Sequence, residues 1–126
     1  MTNNQGYYIT DKGEKVIIDS QDYISLSDKN IVELILPSGI QYVRCHDNQL
    51  KELILPSGII EVWCFINQIK ELILPSGVKY VYCYKNQLKE LILPSGVKYV
   101  SCDDGAIDDL IIYKDWDTYI EIYFYK

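Results

Sequence analysis

Residues Ile40 to Leu50 read IQYVRCHDNQL, an apolar-x-x-apolar-x-Cys-x-x-Asn-x-Leu string that the chain then repeats. Residues 59–69 are IIEVWCFINQI, 78–88 are VKYVYCYKNQL and 97–107 are VKYVSCDDGAI. Between consecutive copies stands KELILPSG, unchanged at 51–58, 70–77 and 89–96, so the period is 19 residues. A fixed period in this range marks a solenoid, whose units cannot bury their apolar faces alone and stack on their neighbours.

Within each unit the pattern assigns a direction to every side chain. A short strand such as Tyr42 to His46 alternates across a sheet, so Val43 and Cys45 point in while Tyr42, Arg44 and His46 point out. Asn48 follows where the chain turns, and its amide suits the backbone groups that a turn leaves unpaired. Asn48, Asn67 and Asn86 are therefore expected to form a buried ladder, with Asn67 the most costly to remove because it has an Asn on each side. Leu50, Leu53 and Leu55 fill the core from the return side, and Pro-Ser-Gly is expected to make the tight corner into the next strand through its glycine.

Outward from the strong copies the pattern degrades. One period before Tyr42, Val43, Cys45 and Leu50 stand Tyr23, Ile24, Leu26 and Ile31, a first repeat with Lys29 in the Asn column. Before it, YYITDKGEKVII at 7–18 reads as a hairpin around Asp11-Lys12-Gly13, expected to cover the open N-terminal end. At the other end Gly105 replaces the Asn, and Leu110 to Ile112 reads as a last return strand. YIEIYFY at 119–125 reads as a closing strand with Ile120, Ile122 and Phe124 on one face and Trp116 at the corner. The chain thus reads as one domain: hairpin cap over 1–19, repeats over 20–108, C-terminal cap over 109–126.

The string L-x-x-L-x-L-x-x-N-x-L, with Cys at the third apolar place, resembles the leucine-rich repeat, and within it the short type of bacterial and giant-virus proteins. The resemblance rests on three Asn-bearing copies in register and covers nearly the whole chain. It implies a mostly β, right-handed leucine-rich-repeat solenoid with a parallel concave sheet, extended return segments, no long helices and capping strands at both ends. It also implies a non-enzymatic role in protein recognition. Bacterial effector ubiquitin ligases of similar repeat type carry their catalytic domain outside the repeats, and none is expected within these 126 residues.

Composition narrows the function classes. A net charge of −6 argues against nucleic acid, which needs a basic face. The polar start MTNNQGYYIT does not read as a secretion signal, no apolar run approaches a membrane span of about 18 residues, and there is no N-x-S/T sequon. An intracellular location is therefore expected, and neither a membrane partner nor a cofactor. Cys45, Cys64, Cys83 and Cys102 recur at the repeat spacing, which lines them up about 4.8 Å apart. A line of four cannot surround a tetrahedral ion. Leu26 fills the same column, so buried, reduced thiols are expected. His46 is the only histidine and reads as a surface residue beside Arg44. Asp103-Asp104-Gly105 with Asp108-Asp109 lacks the ligand spacing of a calcium loop and reads as a solvated acidic turn.

The repeats differ from one another at few places. Across the three full copies, non-conservative changes fall at Gln41/Ile60/Lys79, Tyr42/Glu61/Tyr80, Arg44/Trp63/Tyr82, His46/Phe65/Tyr84 and Asp47/Ile66/Lys85. All lie on or beside the outward face of the strand, and the middle of that face is aromatic. Exposed aromatics and Arg amid polar residues have the composition of a binding hot spot. The partner-binding residues expected are Tyr42, Arg44, His46, Glu61, Trp63, Phe65, Tyr80, Tyr82, Tyr84 and Tyr99, with a protein as the partner. A glycan on a Trp63–Tyr82 platform is an alternative. Weak self-association is another, through an outward stripe of Ile35, Ile54, Ile73, Ile92 and Ile111 on the return side.

Overall fold

The repeat becomes the coil of a β-solenoid of about five turns. The computed structural model describes residues 5–104, 109–112 and 119–126, with only the backbone path over 109–112. Eleven strands and no helix occur among the described residues. The long sheet holds six parallel strands in the order β11 (Glu121–Tyr125), β9 (Tyr99–Asp103), β7 (Tyr80–Tyr82), β6 (Glu61–Trp63), β5 (Tyr42–Arg44), β3 (Tyr23–Ser25). Its register runs through Tyr23, Tyr42, Glu61, Tyr80, Tyr99 and Glu121, so each side chain stacks on its equivalent one coil away. The degenerate first repeat therefore pairs as its spacing predicts.

Alternation turns Val43, Val62, Val81 and Val100 inward, and Cys45, Cys64, Cys83 and Cys102 behind them, all essentially inaccessible. The four thiols are free. Leu50, Ile69 and Leu88 after the turn, and Leu53, Leu72 and Leu91 on the return, close the core from the other side. Burying each such side chain contributes roughly 1.5–3 kcal/mol, and every coil adds the same set, so stability accumulates along the stack.

The corners work differently from the expectation. The N–H of the residue after each Pro-Ser-Gly donates to the proline carbonyl, as Ile59 does to Pro56 at 3.2 Å. Neither Gly58 nor Gly77 has a positive φ, and a Cβ added at either meets nothing within 4 Å. The left-handed residues sit instead just before the Asn position, at Asp47 (φ 59°), Ile66 (57°) and Lys85 (55°), with Asp28 (56°) in the first coil.

The Asn ladder is a set of bonds from side chain to backbone rather than from amide to amide. Asn48 Oδ1 accepts from the N–H groups of Lys29 and Ile31, each at 3.0 Å, and its Nδ2 donates to the Leu26 and Cys45 carbonyls at 2.8 and 3.0 Å. Asn67 accepts from Leu50 N–H and donates to Cys45 and Cys64. Asn86 accepts from Ile69 N–H and donates to Cys64 and Cys83. Each amide thus ties its own coil to the one before, and the Cys45 and Cys64 carbonyls each serve two amides. That sharing argues against Asn67 mattering most, because its carbonyl partners keep a second donor.

The ends also differ in detail. The hairpin of β1 (Gly6–Thr10) and β2 (Lys15–Ile18) forms as read, with Gly13 at φ 82° in its turn. It pairs antiparallel with β4 (Ile31–Ile35) on the return side, so the long sheet itself ends on the three-residue β3. Gly6 is required there: an added Cβ would fall on the Ile35 carbonyl oxygen and come within 2.7 Å of Pro37. At the far end β10 (Asp109–Ile112) pairs with β8 (Glu90–Leu93), the expected last return strand. The expected replacement of Asn by Gly105 and the packing of Trp116 lie outside the described residues. So does the side chain of Ile111. β11 places Ile122 and Phe124 in line with Val100 and Cys102; Ile122 packs on the core, while Phe124 at the edge stays 45% exposed.

Candidate functional site

All ten residues expected on the outward face lie there, on the coils of β5, β6, β7 and β9. Three lines of side chains cross the coils. The first holds Tyr42, Glu61, Tyr80 and Tyr99, the second Arg44, Trp63 and Tyr82, and the third, just past the strand ends, His46, Phe65 and Tyr84. Tyr42 is exposed and the rest are half-buried against one another. The in-register parallel pairing that the repeat imposes brings equivalent rings to roughly one strand spacing, which is where aromatic pairs attract.

The third line forms a stack. His46 and Phe65 lie 4.3 Å apart with planes 12° from parallel, Phe65 and Tyr84 4.6 Å apart at 9°, and Tyr84 and Tyr125 4.5 Å apart at 13°. Phe65 and Tyr84 therefore have both faces occupied, and present mainly edges and the Tyr84 hydroxyl to solvent. The second line is tilted rather than stacked. The Arg44 guanidinium sits 4.0 Å over Trp63, Trp63 lies 5.0 Å from Tyr82 at 53°, and Tyr82 lies 5.0 Å from Tyr99 at 36°. Trp63 also bridges to the third line, 5.8 Å from His46 and 6.1 Å from Phe65.

Some of the polar groups around this field are committed to one another and some are not. His46 Nδ1 lies 2.7 Å from the Asp47 carboxylate, so this surface residue is held by a stack and a carboxylate. The Arg44 Nε and Trp63 Nε1 donors are buried without a hydrogen-bond partner. Burial pushes the Tyr82 phenol above its ordinary range, with Tyr99, Glu61 and Tyr80 adding to the rise and Arg44 opposing it. Burial does the same at Tyr84, reinforced by Tyr125 and Asp47. Both phenols stay neutral hydrogen-bond donors at neutral pH. The Cys thiols lie on the core side of the sheet, across it from His46.

Two residues of the face were not read from the sequence. Tyr123 and Tyr125 join it because β11 pairs with β9, setting Tyr123 beside Ser101 and Tyr125 beside Asp103. The step from Tyr99 to Glu121 is longer than the repeat, which hides this register from a fixed-period alignment. Asp103 is not simply solvated: its carboxylate accepts from the N–H groups of Lys85 at 2.7 Å and Asn86 at 3.3 Å, as the Asn amides do one coil earlier. Its short side chain also leaves room for Tyr84 and Tyr125 to meet above it. Comparison with protein-family models, with curated proteins and with solved structures gives no match.

Proposed function

We propose that this chain is a non-enzymatic recognition module, a solenoid of the leucine-rich-repeat type that binds a protein partner through the aromatic outer face of its long sheet. The observation that carries the reading is the confinement of repeat-to-repeat change to that face, while core, ladder and return positions are copied. Kinship with leucine-rich repeats is supported by the inward Leu50, Leu53 and the asparagine ladder. Four unpaired buried thiols suit the reducing interior of a cell.

Ring geometry favours protein over glycan. A sugar stacks on an open ring face, whereas Trp63 has Arg44 over one face and the Phe65 and Tyr84 faces are turned to their neighbours. Ring edges, phenol hydroxyls and an Arg instead suit peptide carbonyls and side chains. The test uses Tyr42→Ala with Glu61→Arg, since neither residue takes part in a ring stack among the described residues. Melting should be nearly unchanged while recovery of partners from lysate is lost. Equal recovery by wild type and variant removes the outer face as the working surface.

A second reading has its own observation. On the return side Ile54 and Ile73 are 68% and 73% exposed, and the segments carrying them border two grooves of about 520 and 620 Å³. A second copy could seat its Ile ridges in these grooves. Sedimentation of wild type against Ile54→Glu over a concentration series decides it, and a chain that stays monomeric throughout removes the reading.

A further inference from the structure

Ile66 is a β-branched residue held at φ 57°. L-residues avoid the left-handed region, and branching at Cβ makes it worse. The fold does not ask for Ile here, since the equivalent turns are made by Asp28, Asp47 and Lys85 at nearly the same φ. The backbone duties are also independent of the side chain: Ile66 N–H donates to the Tyr84 carbonyl, and its own carbonyl accepts from Asn48 N–H. At the other end of the same coil Ile60 stands where its neighbours carry Gln41, Lys79 and Lys98, and its backbone bonds match theirs. Both isoleucines remain half-buried rather than fully covered. A strained, partly wet hydrophobe that folding does not require points to a contact made outside the chain.

Ile60 and Ile66 bracket Trp63 and Phe65 on one coil, forming an apolar strip that runs along β6 and past both its ends. On the coil of β7 beside it stand Lys79 and Lys85, one at each end, neither in an ion pair among the described residues, with the Lys85 ammonium 5.1 Å over the Tyr125 ring. On the coil of β5 the charges are already engaged, Asp47 by His46 and Arg44 by Trp63. Glu61 is the single carboxylate on the strip. A chain of net charge −6 therefore sets two lysines outside any ion pair along one side of its most apolar outward coil.

We infer that Ile60 and Ile66 complete the binding face, and that its occupant is an extended segment of a partner protein. That segment lies along β6 with apolar side chains on the strip and Asp or Glu residues reaching Lys79 and Lys85. The inference rests on the outer-face reading above and adds the coil, the direction and the chemistry of the partner.

The test is a selection from a random-sequence peptide library on the whole chain, counter-selected on an Ile60→Gln, Ile66→Asn variant. Enriched peptides should combine an apolar run with acidic residues. Their affinity should fall about tenfold or more in that variant and in Lys79→Glu, Lys85→Glu. Ile66→Asn alone should raise the melting temperature while lowering affinity, a pairing that a purely structural Ile66 does not produce. If no peptide is enriched over the counter-selection, or if the enriched set lacks acidic residues, the inference is overturned. If peptides bind through Tyr42 and Glu61 but ignore Ile60 and Ile66, the outer face stands and only this strip fails.

Discussion

Asn48→Ala should destabilise the chain more than Asn67→Ala, against the intuition that the middle rung of a ladder matters most. Removing the Asn48 amide leaves the buried Ile31 N–H without its acceptor. It also leaves the buried Leu26 carbonyl without an amide donor, because no second amide reaches Leu26 among the described residues. Lys29 N–H is only part-buried and turns to water, and the Cys45 carbonyl keeps its bond from Asn67. Two groups stranded at about 1–3 kcal/mol each, softened by relaxation, give a loss of roughly 2–4 kcal/mol. Asn67→Ala strands only Leu50 N–H, since Cys45 keeps Asn48 and Cys64 keeps Asn86, so its loss should be about 1–2 kcal/mol. The double variant alone orphans the Cys45 carbonyl and should exceed the sum of the singles by about 1 kcal/mol or more. Urea unfolding followed by two probes measures all three. A loss at Asn67 equal to or larger than that at Asn48, with a double variant additive to within about 0.5 kcal/mol, refutes the shared-carbonyl account.

Alkaline pH should destabilise this chain through its core. Burial pushes the Cys45 thiol up to about 12 from 9.0, and Cys64 and Cys83 well above 9.0. The folded thiols therefore stay protonated while the unfolded ones ionise, so stability is full below about pH 8 and falls as pH rises from 9 toward 12. At pH 10 Cys45 alone accounts for a loss of roughly 1 kcal/mol, with Cys64 and Cys83 acting in the same direction, which denaturant midpoints at pH 7.5 and 10 will read; a flat profile means the column is open to water. Gly6→Ala should cost about 2 kcal/mol or more through overpacking at Ile35 and Pro37, seen as lost amide-exchange protection in β1 and β2. Trp63→Ala should cost about 1–3 kcal/mol, more than an ordinary surface change, because it unstacks Arg44 and Tyr82; a loss below about 0.5 kcal/mol shows the rings do not support the sheet.

The 19-residue period and the alternation within it were enough, without coordinates, to place the inward Val and Cys columns, the first repeat under β5, the hairpin and the last return strand. These are local or strictly periodic properties: a side chain on a strand has two faces to choose from, and apolar residues choose the core. The candidate face was legible for the same reason, since Tyr42, Trp63 and Tyr84 follow from the directions of Val43, Val62 and Val81. What only the tertiary structure decided depends on partners many residues away. That Asn48 serves Leu26 and Ile31, that the hairpin joins the return side, and that β11 adds Tyr123 and Tyr125 are facts about which coil lies beside which. The left-handed Ile66 and the unremarkable Gly58 invert what residue type alone suggests. Backbone conformation at a turn is set by the hydrogen bonds to the neighbouring coils, and in a stacked solenoid these outweigh the propensity of a single residue.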